Sequence, residues 1–374
     1  MRKFKAGHYI QQGSYRSFQP SLINRQWHLD DMEVIQLLDK ANRELGRLDM
    51  YSEYIPNIDL FIGMHVLKEA TLSSRIEGTQ TRIEEALMEA EEVPPENRND
   101  WEEVRNYIQA MEKAIGLLNE LPFSSRLIRQ THAVLMQGVR GEQKMPGEFR
   151  RSQNWIGGSA INNALFVPPV HHEINRLMGD LEEFAHSESH YFPELLRIAL
   201  IHYQFETIHP FLDGNGRVGR LMITLYLVSK KILKRPVLYL SDYLERHRQL
   251  YYDNLTRVRE KDDIAQWFKF FLAGVIETAQ KGIETFDKIL KLQRDIDAKI
   301  QGMGSRAASA YRLVAYLYEQ PLVNAERVSQ VIEQSMPTAY SLIEEMEKLE
   351  ILYEITGGKR GRRYLFKEYV DLFK

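Results

Sequence analysis

Two apolar helical runs separated by a polar loop constrain most strongly what this chain can fold into. Leu195, Leu196, Ile198, Ala199, Ile201, His202 and Phe205 crowd the run 194–205, and 221–228 is apolar apart from Thr224. Helices apolar on all faces are core helices, so the centre of the molecule is expected to be this pair. The loop joining them, 206–220, reads ETIHPFLDGNGRVGR. Placing His, Asp, Asn and two Arg between core helices is costly unless those polar groups meet a ligand.

Helical spacing continues outward from this centre. Val34, Leu37, Leu38 and Ala41 recur with it, as do Leu60, Met64, Leu67, Lys68, Leu72 and Ile76, and then Trp101, Val104, Ile108, Met111 and Ile115. The loop 93–100 offers Asn99 or Asp100 as a helix cap, and 119–125 offers Ser124 or Ser125. Residues 1–30, aromatic and aperiodic, read as an extended arm lying on the rest. The stretch 153–169, QNWIGGSAINNALFVPP, alternates around Ala164, Phe166 and Pro168, which predicts a β-hairpin turning near Asn162–Asn163. It is read either as a surface excursion or as a flap that pairs with an extended peptide.

With 374 residues the chain is long enough for two or three domains. Hydrophobic residues at 44% and charged residues at 27% exclude a disordered chain. A net charge of −3 argues against whole-surface attraction to nucleic acid or anionic membrane, leaving only local basic patches. Cysteine is absent, which excludes disulfides, thiolate zinc sites and a cysteine nucleophile. The basic N-terminus lacks an apolar segment behind it, and 221–228 is far short of the ~20 residues that span a bilayer. A cytoplasmic protein is expected, with no membrane partner.

The central loop has the parts of a polyphosphate cradle. Gly214, Asn215 and Gly216 open the second helix, where backbone N–H groups and the helix field attract anions. Arg217 and Arg220, three residues apart, share one side of the first turn and suit phosphate oxygens. Asp213 is a hard oxygen donor suited to Mg²⁺ held mainly by substrate phosphates, and His209 can accept a proton from a hydroxyl. Competing readings are weaker. Gly214, Gly216 and Gly219 spell a dinucleotide fingerprint, but a helix precedes them instead of a strand. Asp213–Gly216 suggests a calcium loop, but Arg217 and Arg220 stand where oxygens are needed. His202 and His209 lack a third metal ligand, and His202 is expected in the core, hydrogen-bonded.

His209–Arg220, HPFLDGNGRVGR, resembles the signature of the Fic family, H-x-F-x-[DE]-G-N-G-R-x-x-R, at every fixed position. The resemblance covers roughly 60–300 and implies a mainly α fold: a Fic helical bundle with a small β-hairpin flap. It implies Mg-dependent transfer of AMP from ATP to Ser, Thr or Tyr hydroxyls of proteins (AMPylation), because relatives with other donors usually carry Ala in place of Gly214. The implied roles follow the signature. His209 is the general base, Phe211 anchors the loop, and Asp213 holds Mg²⁺ against the α- and β-phosphates. Gly214, Asn215 and Gly216 form the anion hole, Arg217 meets the β-phosphate and Arg220 the γ-phosphate. A second short motif, SSRIEG (73–78), resembles the family's inhibitory pattern [ST]-x-x-x-E-[GN] through Ser73, Glu77 and Gly78. It implies self-inhibition, with Glu77 pairing with Arg220 and denying it to ATP. Removing one partner of such a pair, when buried, costs about 3–5 kcal/mol. In some relatives the same glutamate supports removal of AMP.

Residues 305–374 read as a separate winged helix-turn-helix domain, with helices over roughly 306–319, 323–333 and 337–350 and a hairpin over 353–366. Pro337, Thr338 and Tyr340 lie near the start of its third helix, and Lys359, Arg360, Arg362 and Arg363 would make the wing tip. Ten acidic and ten basic residues leave the module neutral, so DNA binding and protein contact stand level. The expected division is an N-terminal arm and helix over 1–55, a catalytic domain with the inhibitory helix over 56–300, and the winged-helix domain over 305–374. The implied partners are ATP and a target protein aligned along the 155–169 flap. Self-modification, DNA through 305–374 and a second copy in a homodimer complete the set. The alternatives to an AMP transferase are a DNA-binding regulator whose Fic domain senses nucleotide, and a net de-AMPylase.

Overall fold

The computed structural model describes residues 4–55, 58–138, 142–188, 191–358 and 361–374. The fold is mainly helical, as expected. The N-terminal stretch, however, is no simple arm: β1 (Gly7–Gln12) and β2 (Tyr15–Pro20) form an antiparallel hairpin in register from Gly7↔Pro20 to Gln12↔Tyr15. The signal was Gly13–Ser14, a glycine-led two-residue turn with Gly13 at φ +60. Phe18 of β2 is buried between Tyr9 and Phe166, and its N–H donates to the Val167 carbonyl at 2.9 Å.

Helix α1 (Met32–Tyr54) starts at Asp31, whose carboxylate accepts from the Val34 N–H. It is followed by α2 (Asp59–Ile76), α3 (Ile83–Ala86), α4 (Arg98–Leu117), α5 (Ser125–Leu135) and α6 (Ile174–His186). Ser124 caps α5 as expected, accepting from Leu127 N–H. Helix α4 begins earlier than expected, after Asn97 and without a side-chain cap, because the Asp100 carboxylate is drawn away to the Gln80 N–H. Between α5 and α6, 153–169 does not form the expected ladder. A single antiparallel bridge joins Ile156 to Phe166, with a short 3-10 turn at Ile161–Asn163. The Asn163 side chain accepts from Ala160 N–H and donates to Ser159, so local side-chain bonds take the place of strand pairing.

The two core helices are α7 (Glu194–Ile208) and α8 (Asn215–Ser229). Every residue of α7 from Leu195 to Ile208 is buried. Each such Leu, Ile or Phe contributes roughly 1.5–3 kcal/mol on burial, which fixes the loop between them in the middle of the molecule. Around this pair lie α9 (Ser241–Arg246), α10 (Arg248–Lys261) and the long α11 (Ile264–Gln301). The buried Trp267 of α11 donates its indole N–H to the Ala199 carbonyl of α7. Helix α1 lies along α11, and Gly282 lets Leu48 close in where a Cβ would stand 2.9 Å from its Cδ1.

The C-terminal stretch runs α12 (Ala307–Glu319), β3 (Leu322–Asn324), α13 (Ala325–Ile332), α14 (Met336–Lys348), β4 (Tyr353–Glu354), β5 (Arg363–Leu365) and α15 (Lys367–Asp371). The sheet order is β3-β5-β4, antiparallel throughout. Lys359 and Arg360 lie outside the described residues. Arg363 does not project from a wing tip: it turns inward and pairs with Glu92. The C-terminal stretch also grips α2, where Phe61 packs edge-on against Tyr318 and Tyr369 and His65 meets Phe373. Among the described residues no helix is long and apolar enough to cross a membrane.

Candidate active site

The loop between α7 and α8 is a tight, self-bonded structure. Phe211 is fully buried and stacks on His132 of α5, with ring centroids 3.7 Å apart. The Asn215 side chain closes the loop: its Oδ1 accepts from Phe211 N–H at 2.8 Å and its Nδ2 donates to the Phe211 carbonyl at 2.9 Å. The side-chain oxygen of Asn215 is thus committed to loop shape. Gly214 sits at φ +74, and a Cβ there would stand 2.7 Å from Met136 Sδ, so both backbone and space demand glycine. Helix α8 then starts at Asn215 with its first N–H groups facing the loop, free of intrahelical partners.

His209 caps α7 in the left-handed region, at φ 50 and ψ 61. A non-glycine residue there stores about 1–2 kcal/mol. Burial first, then the Arg150 charge, push its imidazole down to about 4 against the opposing Glu77, so the ring is neutral at neutral pH. Its Nδ1 is buried with no partner among the described residues.

Both arginines of the loop are buried and face carboxylates. Arg220 donates from Nε to Ser73 Oγ at 2.8 Å, and from Nη2 to the Ser73 carbonyl at 2.9 Å and to Glu77 Oε1 at 2.7 Å. Arg217 pairs with Glu103 of α4 at 2.9 Å and lies 4.0 Å from Asp213. Glu77 is placed by the end of α2. There Thr79 N–H reaches the Ser74 carbonyl and Gly78 N–H the Arg75 carbonyl, with Gly78 at φ +113, a Schellman ending that only glycine fits easily. The Glu77 carboxylate lies against the first turn of α8: a Cβ on Gly216 would be 2.2 Å from its Oε1. Burial raises its pKa, but the Arg220 guanidinium outweighs this and holds the carboxyl below its ordinary range. The side chain keeps 36% exposure, so solvent screening brings the pair's worth below that of a fully buried one.

Asp213 is half exposed at the mouth of the loop. Among the described residues no group of three metal-ligating side chains occurs. A single hard carboxylate fits a cation that keeps waters and substrate phosphates as its other ligands, which is the habit of Mg²⁺. His202 is in the core as expected, its ring nitrogens bonded to the Gly219 carbonyl and the Tyr251 hydroxyl, both at 2.9 Å.

Besides Glu103, three supporting residues were not singled out in the sequence. His132 accepts from Gly147 N–H on Nδ1, so its Nε2 carries the proton and donates to the Asp213 carbonyl at 3.1 Å. Arg150 and Glu206 are the others. Burial raises Glu206 to about 7 despite Arg220, and Gly219 leaves room for it: a Cβ there would stand 2.2 Å from the Glu206 Oε1 and displace the carboxyl. His132 and Arg150 approach from segments with no motif of their own, whereas Glu206 stands three residues before His209 at the head of the loop.

Comparison with known proteins finds likeness to one family. The Fic/DOC family N-terminal description matches residues 35–116, and the Fic/DOC family description matches 122–227. A protein adenylyltransferase Fic from Aedes aegypti is 35% identical over 125 residues, 33% of this chain and 22% of that protein. The chain thus matches about a fifth of the length of such curated relatives. The crystal structure of a Fic family protein from Desulfovibrio desulfuricans superposes with a TM-score of 0.59 at 19% identity, over 91% of this chain and 98% of that one. A Fic domain containing signaling protein from Bacteroides thetaiotaomicron gives 0.52 at 18% identity, over 68% of this chain and 97% of its own. At such identities these two likenesses speak for the fold.

Proposed function

We propose, from a chain that carries Fic/DOC family domains, that this protein transfers AMP from ATP to Ser, Thr or Tyr hydroxyls of proteins and is restrained by Glu77. The observation that carries this is the Glu77 carboxylate lying on the first turn of α8 while it holds Arg220. A carboxylate in an anion seat is a stand-in for a phosphate and a competitor of one.

In the active arrangement Gly214, Asn215 and Gly216 present the opening of α8 to the α-phosphate, Arg217 meets the β-phosphate and Arg220 the γ-phosphate. The target hydroxyl oxygen attacks the α-phosphorus, its proton passes to the neutral His209 imidazole, and the bond to the β-phosphate oxygen breaks to release pyrophosphate. Asp213 is the residue that would hold Mg²⁺, whose contribution when bound is to neutralise charge on the phosphate oxygens. The gain comes from positioning and fixed charge. A triphosphate beside the imidazole adds negative charge and raises its basicity toward working pH.

Ser73, Glu77 and Gly78 form the brake in this reading: Glu77 denies Arg220 to the γ-phosphate, and Ser73 holds the same guanidinium in reserve. Target protein would lie along 155–169, where Trp155 and Leu165 are exposed apolar side chains. We take 1–55, 56–300 and 305–374 as the working divisions and 305–374 as a winged-helix module in a cytoplasmic protein. The inward pairing of Arg363 with Glu92 takes one cation away from a DNA-contacting wing and favours protein contact.

Incubation with Mg²⁺ and ATP labelled on either the α- or the γ-phosphorus, with wild type, Glu77→Gly and the Glu77→Gly/His209→Ala pair, tests the reading. α-label on protein that rises with the first change and vanishes with the second is expected. γ-label on protein, or α-label indifferent to His209, contradicts it. Loss of pre-installed AMP faster with wild type than with Glu77→Gly would favour the de-AMPylase instead.

A further inference from the structure

Arg150 is a cation buried to 2% exposure whose hydrogen bonds among the described residues all go to backbone carbonyls, none to a carboxylate. Nε donates to the His209 carbonyl at 3.0 Å, Nη1 to Ser152 at 3.0 Å, and Nη2 to Pro169 at 2.5 Å and Ile208 at 3.4 Å. Its own N–H donates to the Pro210 carbonyl at 2.8 Å. Burial pulls the guanidinium down to about 10, which leaves it charged at neutral pH. Ser152 and Pro169 stand at the two ends of the 153–169 segment, and Ile208, His209 and Pro210 are the residues around the left-handed turn that aims the imidazole. One side chain therefore ties both ends of the flap to the strained backbone of the candidate base.

We propose that Arg150 is a positioning residue that holds His209 and the flap as one unit, so that the distance between a hydroxyl presented on the flap and the accepting imidazole depends on it. This rests on the AMP-transfer reading for its chemistry but not for its geometry. A left-handed histidine persists only where its surroundings over-determine it, and three of the Arg150 contacts, to the Ile208, His209 and Pro210 carbonyls, act on that turn. A planar fork is needed, since a compact ammonium cannot aim donors at carbonyls spread along several fixed directions of one plane. The charge has a second effect. The groups facing the imidazole are Arg150, Arg259 of α10 and Glu77 at the end of α2, with the Glu206 carbonyl beside them. Among these charges Arg150 disfavours the imidazolium most, adding to the burial that already keeps the ring in its proton-accepting form.

The test uses full-length protein in the Glu77→Gly background with Arg150→Lys and Arg150→Met. The expected result is a fall in the turnover of α-label transfer of about 100-fold in both, as a displacement of ~1 Å produces, with KM for ATP unchanged. The His209 imidazole, followed by NMR and identified by its loss in His209→Gln, should titrate at higher pH in Arg150→Met and at its original pH in Arg150→Lys. Unchanged turnover in both variants overturns the proposal, as does an identical imidazole midpoint in Arg150→Met. Turnover and ATP binding falling together with both midpoints unmoved would mark plain structural support and also overturn it. If Arg150→Met fails to fold, Arg150→Lys alone decides through its turnover-to-KM split. Absence of transfer in Glu77→Gly itself sinks the AMP-transfer reading, while the NMR titration still reads the clip.

Discussion

At the scale of single residues, the site is a contest for two guanidinium groups. Glu77 occupies Arg220, and Glu103 occupies Arg217. Glu77→Gly should raise α-label transfer at least tenfold, equivalent to ~1.4 kcal/mol, measured as initial rates at saturating ATP. The pH behaviour follows from the direction of the shift. The Glu77 carboxyl is held below its ordinary range by Arg220 against burial. Its stabilising contribution is therefore full above the ordinary carboxylate range and lost only as pH falls through the lowered value. Wild-type labelling should stay low between about pH 6 and 8, and a sharp release within that window would show that some other group holds the brake. These residues were legible because the signature packs His209, Asp213, Asn215, Arg217 and Arg220 into twelve consecutive positions. Glu103, His132 and Arg150 were not, because they act across more than fifty residues of chain through packing that no spacing encodes.

At the scale of elements, burial was the readable quantity. The all-apolar faces of α7 and α8 announced two core helices, and their burial follows. Where side chains satisfied the backbone locally, pattern misled: Asn163 dissolved the expected hairpin into one bridge, and the glycine-led turn at Gly13 built a hairpin where an arm was expected. The ending of α2 is the element on which the proposed brake hangs. Gly78 at φ +113 has open space around it, so Gly78→Val meets no clash but must take an unfavourable backbone conformation. It should cost roughly 1 kcal/mol and raise basal α-label transfer to a level between wild type and Glu77→Gly. Transfer equal to wild type would mean that the helix end does not set the position of Glu77.

At the scale of the whole molecule, the C-terminal stretch bears on the same helix that carries Glu77. Phe61 is nearly fully buried against Tyr318 and Tyr369, and Lys374 pairs with Glu84 at 2.6 Å, seven residues beyond Glu77. Phe61→Ala should cost about 3–5 kcal/mol as a buried aromatic truncation, read by denaturant unfolding. Hydrogen exchange should speed up along α2 before α7 and α8 respond. Uniform acceleration across all helices would mean that α2 is not a separately loosened element. The most direct measurement of the central claim, that a triphosphate and Glu77 compete for the seat between α7 and α8, is calorimetric titration of Mg·ATP. Glu77→Gly should take up one nucleotide more tightly than wild type, and Arg220→Ala in that background should weaken it. No heat with Glu77→Gly, or uptake indifferent to Arg220, would contradict the claim.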